Sequence, residues 1–214
     1  AYFNAGKRMQ VTGYPTRDDL KVIARDEAVS TFNLTPDLPV LLVIGGSKGA
    51  HTLNQAVFDN LSTLLERVQV LHVTGQLDWQ TAVESKAQLS AAHTARYQPH
   101  AYLHAEISAA FSAASIVLSR AGASTLGELP LFCLPAILVP YPYAWRYQKV
   151  NADHLVRHGA AVMLENVELG KRLVSVVSDL LSDEQKLASM RKNMRALATP
   201  HAAARIADLL VELG

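Results

Sequence analysis

The chain has 214 residues, of which 50% are hydrophobic and 18% are charged, so one large α/β domain or two small ones can bury a sizeable core. Its 20 Lys and Arg residues nearly balance 19 Asp and Glu residues, and a net charge of +1 argues against nucleic acid as a partner. The single cysteine, Cys133, excludes an internal disulfide and a cysteine-rich metal cluster, and its apolar neighbours predict an inert core residue.

The hydropathy of the chain and its first residues bear on its compartment. No secretory signal is recognisable, and no apolar run approaches the roughly 20 residues that span a bilayer. We therefore expect a cytoplasmic protein without a transmembrane segment. The opening residues, AYFNAGKRMQVTGYP, contain neither an initiator Met nor a helix cap and read as the interior of a longer protein.

Short apolar runs alternate with amphipathic stretches along the chain. The predicted strands are Met9–Thr12, Val40–Ile44, Gln69–Val73, Ser115–Leu118, Ala136–Val139 and Ala161–Leu164. The predicted helices are Ala50–Arg67, Asp78–Ala92, Glu106–Ala113, Ser124–Leu131, Tyr147–His158, Leu169–Leu181 and, interrupted at Thr199-Pro200, Asp183–Leu213. This alternation predicts one α/β domain over residues 1–214, with a Rossmann-like, mostly parallel sheet covered by helices on both faces. Ligands of such sheets bind beyond the carboxyl ends of the strands, where the candidate residues are sought.

The first candidate is the turn Gly45-Gly46-Ser47-Lys48-Gly49 after the strand Val40–Ile44. Its pattern G-x-S-x-G fits the strained turn that exposes a nucleophilic serine in α/β-hydrolases. A glycine turn before a helix can equally bring backbone N–H groups up to a phosphate, or Ser47 can simply cap the helix. The turn alone does not separate these three interpretations.

A second turn of small residues, Ser119–Glu128, follows the strand Ser115–Leu118. Glu128 lies about one turn into the helix, where a carboxylate complements the helix dipole or accepts hydrogen bonds from a ribose diol. Two such turns on one sheet edge favour a diphosphate ligand with attached sugars, because it needs donors from more than one loop.

Two further segments follow predicted strands. Pro140–Leu155 contains the amides Gln148 and Asn151, which can serve sugar hydroxyls, although a rigid loop before a solvated helix explains the same residues. Arg17, in the turn Thr12–Arg17, can pair with phosphate or be an ordinary surface arginine.

Metal and hydrolase chemistry have weaker signals. His154 and His158 have the i, i+4 spacing of zinc ligands but lack the glutamate between them, so we expect solvated helix histidines and no metal site. A hydrolase triad needs an acid and a histidine after Ser47, for which Asp153 and His201 are examples without a distinctive motif.

Several motifs match one family in order: TGYPTR (Thr12–Arg17), GGSKGAHTLNQ (Gly45–Gln55), YLHAEI (Tyr102–Ile107), SRAGASTLGEL (Ser119–Leu129), LPAILVPYPYA (Leu134–Ala144), and Q-x-x-N-A (Gln148–Ala152) before HGAA (His158–Ala161). On these motifs the chain resembles the C-terminal, donor-binding half of the MurG-like GT-B N-acetylglucosaminyltransferases of peptidoglycan synthesis. The resemblance covers roughly residues 9 to 165.

The resemblance implies a donor site for UDP-N-acetylglucosamine, with no cofactor and no metal. Gly46, Ser47 and Arg17 would contact the diphosphate, with the loop Gly122, Ala123, Ser124 and Thr125 beneath it. The backbone of Leu103 and His104 would face the uracil, Glu128 the ribose hydroxyls and Gln148 the sugar. Tyr14, Cys133 and Tyr147 depart from the family pattern, and Tyr147 leaves the choice of sugar open.

The resemblance also implies what lies elsewhere. The acceptor-binding domain and the presumed general base belong N-terminal to this region, so the catalytic residues are unknown and residues 183–214 would pack toward that domain. The parent enzyme would be peripheral on the inner face of the membrane and would transfer the sugar, with inversion, to lipid-linked muramoyl-pentapeptide. The isolated chain is then expected to bind donor without transfer. The alternatives are a donor-binding subunit of a split GT-B enzyme, a relative with another sugar or acceptor, and an α/β serine hydrolase with Ser47 as nucleophile.

Overall fold

The computed structural model describes residues 10–45, 50–143 and 147–213. Its centre is a six-stranded parallel sheet with the strand order β3-β2-β1-β4-β5-β6. The strands are β1 (Val40–Ile44), β2 (Gln69–Val73), β3 (Tyr97–His100), β4 (Ile116–Ser119), β5 (Ala136–Leu138) and β6 (Ala161–Met163). This order and direction are those of a Rossmann-like fold, as predicted.

Helices connect the strands and cover both faces of the sheet. They are α1 (Arg25–Thr31), α2 (His51–Asp59), α3 (Leu61–Leu65), α4 (Trp79–Ala87), α5 (Ala91–Thr94), α6 (Ile107–Ala113), α7 (Thr125–Leu131), α8 (Tyr147–Arg157), α9 (Leu169–Ser182), α10 (Glu184–Ala196) and α11 (Ala202–Leu213). None of the helices in the described ranges is long and apolar enough to cross a membrane.

Both faces of the sheet are buried, because successive strand residues point to opposite sides. On β1, Val40 and Leu42 pack into one hydrophobic core while Leu41 and Val43 pack into the other. The same alternation runs through β4 and β5. Because both faces of these strands are buried, their sequences are continuous apolar runs and do not alternate between apolar and polar residues. The two cores hold the sheet rigid, and its strand ends are therefore fixed positions for the loops that follow.

The strand order reverses between β1 and β4, which lie side by side with Ile44 paired to Ser119. In open parallel sheets this reversal leaves a crevice at the carboxyl ends of the strands. The two turns of small residues predicted as anion-binding loops directly follow β1 and β4 in the sequence, so both begin at this crevice. Of the first turn, residues 46–49 lie outside the described residues.

Two strand predictions differ from the structure. Residues 10–12 are irregular, so the predicted strand Met9–Thr12 is wrong over its described part; Val11 is 92% exposed and has no neighbouring strand. Conversely, β3 was not predicted, because its sequence YQPH is polar and contains Pro99. A proline is tolerated there because β3 is an edge strand that pairs only with β2.

The predicted helices are found with changed boundaries. The stretch Ala50–Arg67 divides at Asn60, whose side-chain Nδ2 donates to the Ala56 carbonyl at 2.8 Å. Asp78–Ala92 ends as α4 followed by the single turn α5, and α1 was not predicted at all. The break between α10 and α11 falls at Thr199-Pro200 as expected.

Cys133 is not the buried core residue that was predicted; it is half-buried, and its Sγ lies 3.5 Å from Arg195 Nε. Its φ of 51° is left-handed, and it follows the C-cap residue of α7. Cys133 N–H donates to the Pro130 carbonyl and Leu134 N–H to the Leu129 carbonyl, which is the Schellman arrangement that usually contains glycine. This left-handed backbone explains why glycine is common at this position of the family pattern, and Cys133 adopts the same conformation.

Candidate functional site at the carboxyl edge of the sheet

A cavity of about 200 Å³ lies at the carboxyl edge, which we call the carboxyl-edge cavity. Its wall includes the last residues of β1 and β2, Ile44 and Val73, together with Ser124 and Glu128 at the start of α7. The remaining lining residues are Arg17, Leu20, Tyr102, Leu103, Ile107 and Phe111. The cavity therefore combines an apolar wall with one carboxylate and one guanidinium.

Glu128 is the acidic group of this cavity and is half-buried in the first turn of α7. Burial raises the pKa of Glu128 above its ordinary value, and a hydrogen bond from the Ser124 side chain and the positive charge of Arg17 oppose that rise. Hydrogen bonds from hydroxyl groups stabilise a partly desolvated carboxylate more strongly than they stabilise a carboxylate in water. Its two oxygens fit a vicinal diol.

Arg17 reaches the cavity because the segment before it packs closely against α7. A Cβ on Gly127 would lie 2.9 Å from the Tyr14 carbonyl oxygen, so only glycine permits this approach. The Arg17 Nε lies 3.0 Å from Asp19 Oδ1, and both side chains are more than half exposed. Exposed ion pairs of this kind are weak, so the guanidinium can exchange Asp19 for a ligand anion.

The loop from Ala121 to Ser124 presents backbone donors. The Thr125 hydroxyl donates to the Gly122 carbonyl, and the N–H groups of residues 125–128 donate to carbonyls of residues 122–124. The N–H groups of Gly122, Ala123 and Ser124 donate to no acceptor in the part of the chain that the structure describes. A Cβ on Gly122 would meet nothing within 4 Å, so the space before this loop is open.

Arg120 and Asn151 hold that loop in place. Arg120 is buried and its Nη1 donates to the Val139 carbonyl at 3.1 Å and to Asn166 Oδ1 at 2.8 Å. Asn151 Nδ2 donates to the Ala121 carbonyl at 3.0 Å. These bonds tie the ends of β4, β5 and β6 to the start of α8. Arg120 therefore has a structural role in holding the loop, although the sequence placed it within a predicted ligand-binding loop.

Gln148 lies in the first turn of α8, where its Oε1 accepts a hydrogen bond from Tyr141 N–H at 2.8 Å. This contact fixes the orientation of the amide and leaves its NH₂ group as a donor. Asn151 is used in the opposite sense, because its NH₂ group is engaged and its Oδ1 remains an acceptor. The two amides therefore offer complementary hydrogen-bonding groups.

Leu103 and His104 occupy different environments. Leu103 is buried and its side chain contributes to the apolar wall of the cavity. His104 is exposed; its N–H donates to Glu106 Oε2 at 3.3 Å, and its ring packs against Tyr102 with centroids 4.6 Å apart. The His104 N–H is thus already engaged, and the wall itself is built by Leu103, Ile107 and Phe111.

A buried polar network lies behind the start of α2. Asn54 Nδ2 donates to Asp78 Oδ2 and to the Thr74 carbonyl, both at 2.7 Å, and its Oδ1 lies 3.0 Å from His72 Nε2. His72 Nδ1 in turn contacts the Tyr97 hydroxyl at 3.1 Å. Burial lowers the pKa of His72 to about 3, so its imidazole is neutral. A histidine inside the apolar strand QVLHV was the sequence signal for this network.

The network extends to the helix start, because His51 Nδ1 lies 2.7 Å from Asp78 Oδ1. His51 is the first residue of α2, and Ala50 holds the N-cap position without a side-chain cap. Ser47 lies outside the described residues, so its interpretation as a helix cap stays a prediction. The network fixes the helix that directly follows residues 46–49.

The structure brings four predicted site residues together around the carboxyl-edge cavity: Arg17, Leu103, Ser124 and Glu128. Gly122 and Ala123 belong to the adjoining loop, Thr125 begins α7, His104 follows Leu103 and Gln148 lies on α8, and none of these five lines the cavity. Gly46 and Ser47 lie outside the described residues. Prediction missed the apolar wall residues Ile107 and Phe111, which the helical pattern presented only as core positions.

The described residues contain neither a metal-binding cluster nor a contact between the example acid and histidine of the hydrolase alternative. Within residues 10–45, 50–143 and 147–213, no group of three or more His, Cys, Asp or Glu side chains is placed to hold a metal ion. The His158 Nδ1 lies 2.7 Å from the His154 carbonyl of its own helix. Asp153 and His201 make no hydrogen bond or ion pair with each other.

The parallel order of the sheet is Rossmann-like, and the match to a solved structure given below assigns the fold to the C-terminal domain of the GT-B glycosyltransferases. Residues 40–209 match the glycosyltransferase family 28 C-terminal domain, and the chain belongs to this family.

Individual relatives agree with this assignment. A UDP-N-acetylglucosamine–N-acetylmuramyl-(pentapeptide) pyrophosphoryl-undecaprenol N-acetylglucosamine transferase of Desulforamulus reducens is 36% identical over 207 residues, covering 94% of this chain and 55% of the relative. The enzyme of the same name from Bacillus subtilis is 32% identical over 210 residues, covering 97% of this chain and 57% of its own length. The chain thus spans little more than half the length of these curated relatives.

Solved structures show the same fold. The crystal structure of Acinetobacter baumannii MurG superposes with a TM-score of 0.75 at 25% identity, over 93% of this chain and 57% of that one. A C-terminal domain of a group 1 glycosyl transferase from Francisella tularensis superposes with a TM-score of 0.55 at 15% identity, over 87% of this chain and 93% of that one. The second likeness concerns the fold alone.

Proposed function

We propose that this chain binds UDP-N-acetylglucosamine as the donor half of an inverting glycosyltransferase that transfers the sugar to lipid-linked muramoyl-pentapeptide. The observation that carries the proposal is the carboxyl-edge cavity, where Glu128 faces Arg17 beside a loop with uncommitted N–H groups. A nucleoside diphosphate presents a ribose diol and a dianionic diphosphate side by side, which matches this pair of charges. The transferase activity for which the relatives are named supports the same ligand.

In this proposal each part of the donor has a distinct set of contacts. The uracil ring lies on the apolar wall at Leu103, with the ribose hydroxyls donating to the Glu128 carboxylate. The diphosphate accepts hydrogen bonds from Arg17 and from the N–H groups of Ala123 and Ser124. Gly46 and Ser47 complete the diphosphate contacts from the turn that precedes α2.

The sugar contacts come from α8. The Gln148 amide NH₂ donates to one hydroxyl of the N-acetylglucosamine, and Asn151 Oδ1 accepts from another. Because both amides are oriented by backbone partners, the pair reads donor and acceptor positions on the sugar rather than adapting to any hydroxyl. Tyr147 stands where the family pattern can have a glutamine, and it places an aromatic ring at the start of the same helix.

The reaction places a specific demand on this half. The acceptor oxygen forms a bond to the sugar C1 as the bond from C1 to the β-phosphate oxygen breaks, so negative charge grows on UDP as it leaves. Arg17 and the loop N–H groups stabilise that charge without a metal ion in this proposal. In the same proposal, the base that takes the acceptor proton belongs to the acceptor half. The parent enzyme is peripheral on the inner face of the membrane, where its lipid-linked acceptor lies.

The last helices offer a surface for that other half. α10 buries Leu187, Met190 and Met194, whereas α11 buries Ala202 alone and exposes Leu210 and Val211 at 66% and 81% among its described side chains. We propose that residues 183–214 pack toward the acceptor half and that α11 contributes its apolar face to that contact.

Calorimetric titration of the 214-residue chain with UDP-N-acetylglucosamine, UDP and UDP-glucose tests the donor proposal. UDP-N-acetylglucosamine and UDP should bind, and UDP-glucose should bind more weakly than UDP-N-acetylglucosamine. Failure of all three ligands to bind would sink the proposal. A transfer assay with the purified chain should show no product, and measurable transfer would contradict its assignment as donor half alone.

A further inference from the structure

A second cavity lies at the opposite edge of the sheet, and we call it the amino-edge cavity. It has a volume of about 490 Å³. Pro39, Ser115 and Leu134 line it, and these residues precede β1, β4 and β5. The strands therefore separate this cavity from the donor site, and only Phe111 on α6 contributes to both linings.

Two guanidinium groups line the amino-edge cavity. Arg25 Nη1 donates to the Ala113 carbonyl at 2.6 Å, and Arg191 Nη2 donates to the Ser115 carbonyl at 3.4 Å. Neither forms an ion pair with a carboxylate in the described residues. Both arginines are exposed residues. Partial burial of the Arg191 guanidinium lowers its pKa, and the positive charge of Arg25 lowers it further, so the two cations are close enough to repel each other.

Helix capping accounts for one of these arginines and not for both. Ala113 is the last residue of α6, where a cation such as Arg25 complements the helix dipole. Arg191 brings a second positive charge from α10 to a carbonyl two residues further along. Two like charges without a counter-ion disfavour each other, and an anion bound between them removes that cost.

The rest of the lining is suited to an apolar group. The rings of Phe111 and Phe132 lie with their centroids 5.0 Å apart, and Leu134, Pro36 and Pro39 complete the apolar surface. Asp37 is the acidic residue among the lining side chains, and it is exposed and pairs with neither arginine. The cavity thus has a cationic part and an aromatic part.

We propose that the amino-edge cavity binds a small organic anion, with a phosphate or carboxylate group between Arg25 and Arg191 and an aromatic body against Phe111 and Phe132. Guanidinium groups bind both anions through paired N–H donors. The proposal concerns a site separate from the donor cavity and does not depend on the proposed function.

The test is a two-dimensional ¹H–¹⁵N NMR titration of the 214-residue chain with phenyl phosphate. Amide shifts should concentrate near Arg25, Ala113, Ser115 and Arg191, and because shifts locate the ligand, the result does not depend on whether the donor cavity binds UDP. Inorganic phosphate and phenol should each bind more weakly than phenyl phosphate. If inorganic phosphate bound as tightly as phenyl phosphate, the role of the aromatic wall would be overturned. If phenol bound as tightly as phenyl phosphate, the role of the arginines would be overturned.

Variants assign the charges. Arg191→Gln and Arg25→Gln should each weaken phenyl phosphate binding by about tenfold, the effect of one charge-assisted hydrogen bond. Arg191→Lys keeps the charge and should lose less, and it replaces Arg191→Gln if circular dichroism shows that variant to be unfolded. Arg172→Gln, an exposed arginine on α9, is the matched control and should change nothing. Unchanged affinity in the folded Arg191→Gln and Arg25→Gln variants, or shifts elsewhere on the protein, would overturn the proposal.

Discussion

The carboxyl-edge and amino-edge cavities share one sheet but differ in their charges. The carboxyl-edge cavity sets the Glu128 carboxylate against the Arg17 guanidinium, whereas the amino-edge cavity places Arg25 beside Arg191 without an ion-paired carboxylate in the described residues. A site of mixed sign selects a ligand with hydroxyl and phosphate groups at fixed spacing, while a site of one sign selects an anion. The carboxyl-edge cavity is therefore suited to one composite ligand, and the amino-edge cavity to an organic anion.

Among the variants considered, Glu128→Gln should have the largest effect, because it removes the negative charge that distinguishes the carboxyl-edge cavity from the amino-edge cavity. It leaves the shape of the carboxyl-edge cavity and removes its negative charge, so UDP-N-acetylglucosamine affinity should fall by about tenfold or more, the contribution of hydrogen bonds to a charged group. Calorimetric titration measures the change. Glu168→Gln, at the N-cap of α9, serves as the control for a lost carboxylate that is 41% exposed. An affinity of Glu128→Gln equal to wild type would contradict the ribose assignment.

The pH dependence of the same site sharpens the assignment. Burial raises the pKa of Glu128 above its ordinary 4.5, so UDP-N-acetylglucosamine binding should weaken as the pH falls through that raised value. The diester diphosphate of this ligand stays ionised in the same range. Titrations at several pH values in wild type and Glu128→Gln should differ, with the acid-induced loss reduced in the variant; parallel curves would exclude Glu128 as its source.

Stability should change with pH in the opposite sense. Because the folded pKa of Glu128 is raised, its contribution to the free energy of unfolding is fully present below the unfolded pKa and is lost as the pH rises through the folded value. Glu128→Gln should therefore raise the thermal midpoint at neutral pH while it weakens donor binding. A lower midpoint in the variant would show that Ser124 and Arg17 outweigh the desolvation.

Gln148→Glu should have a smaller effect, confined to the sugar. The carboxylate keeps an acceptor for Tyr141 N–H but cannot donate, so UDP-N-acetylglucosamine affinity should fall by about fivefold, the contribution of one neutral hydrogen bond. UDP titrated in parallel reports the added charge alone. The ratio of the two affinities isolates the sugar contact, and an unchanged ratio would count against it.

Cys133→Gly, at the amino-edge cavity, should produce the smallest effect. Glycine relieves a left-handed strain of about 1–2 kcal/mol and loses about 0.5–1 kcal/mol through the unfolded chain, a net gain of about 0 to 1.5 kcal/mol. Chemical denaturation measures this gain, and donor affinity should not change. Asn33→Gly is the matched control, since Asn33 has a φ of 53° at the same position after α1 and asparagine already tolerates it. A larger gain at Asn33 would refute the explanation by strain.

Much of the candidate site could be predicted, because it follows strands that apolar runs mark clearly. β1 and β4 were expected within one residue of their observed ends, and the loop at Ser124 and Glu128 with them. The edge strand β3 could not be predicted from its residues, since Pro99 and polar neighbours suit a strand only where a single partner is needed. The strand predicted over residues 10–12 misled for the converse reason, because no strand of the described residues lies beside Val11.

The sequence by itself determined the alternation of strands and helices, the small residues at the turns and the family to which the chain belongs. These are properties of neighbouring residues, whose spacing and backbone preferences act locally. The tertiary structure alone decided that Arg17 meets Glu128, that Gln148 and Asn151 are oriented as donor and acceptor, and that Arg25 and Arg191 share a second cavity. Those meetings join segments far apart in the chain, and they depend on the packing of helices against a sheet whose order local patterns do not encode.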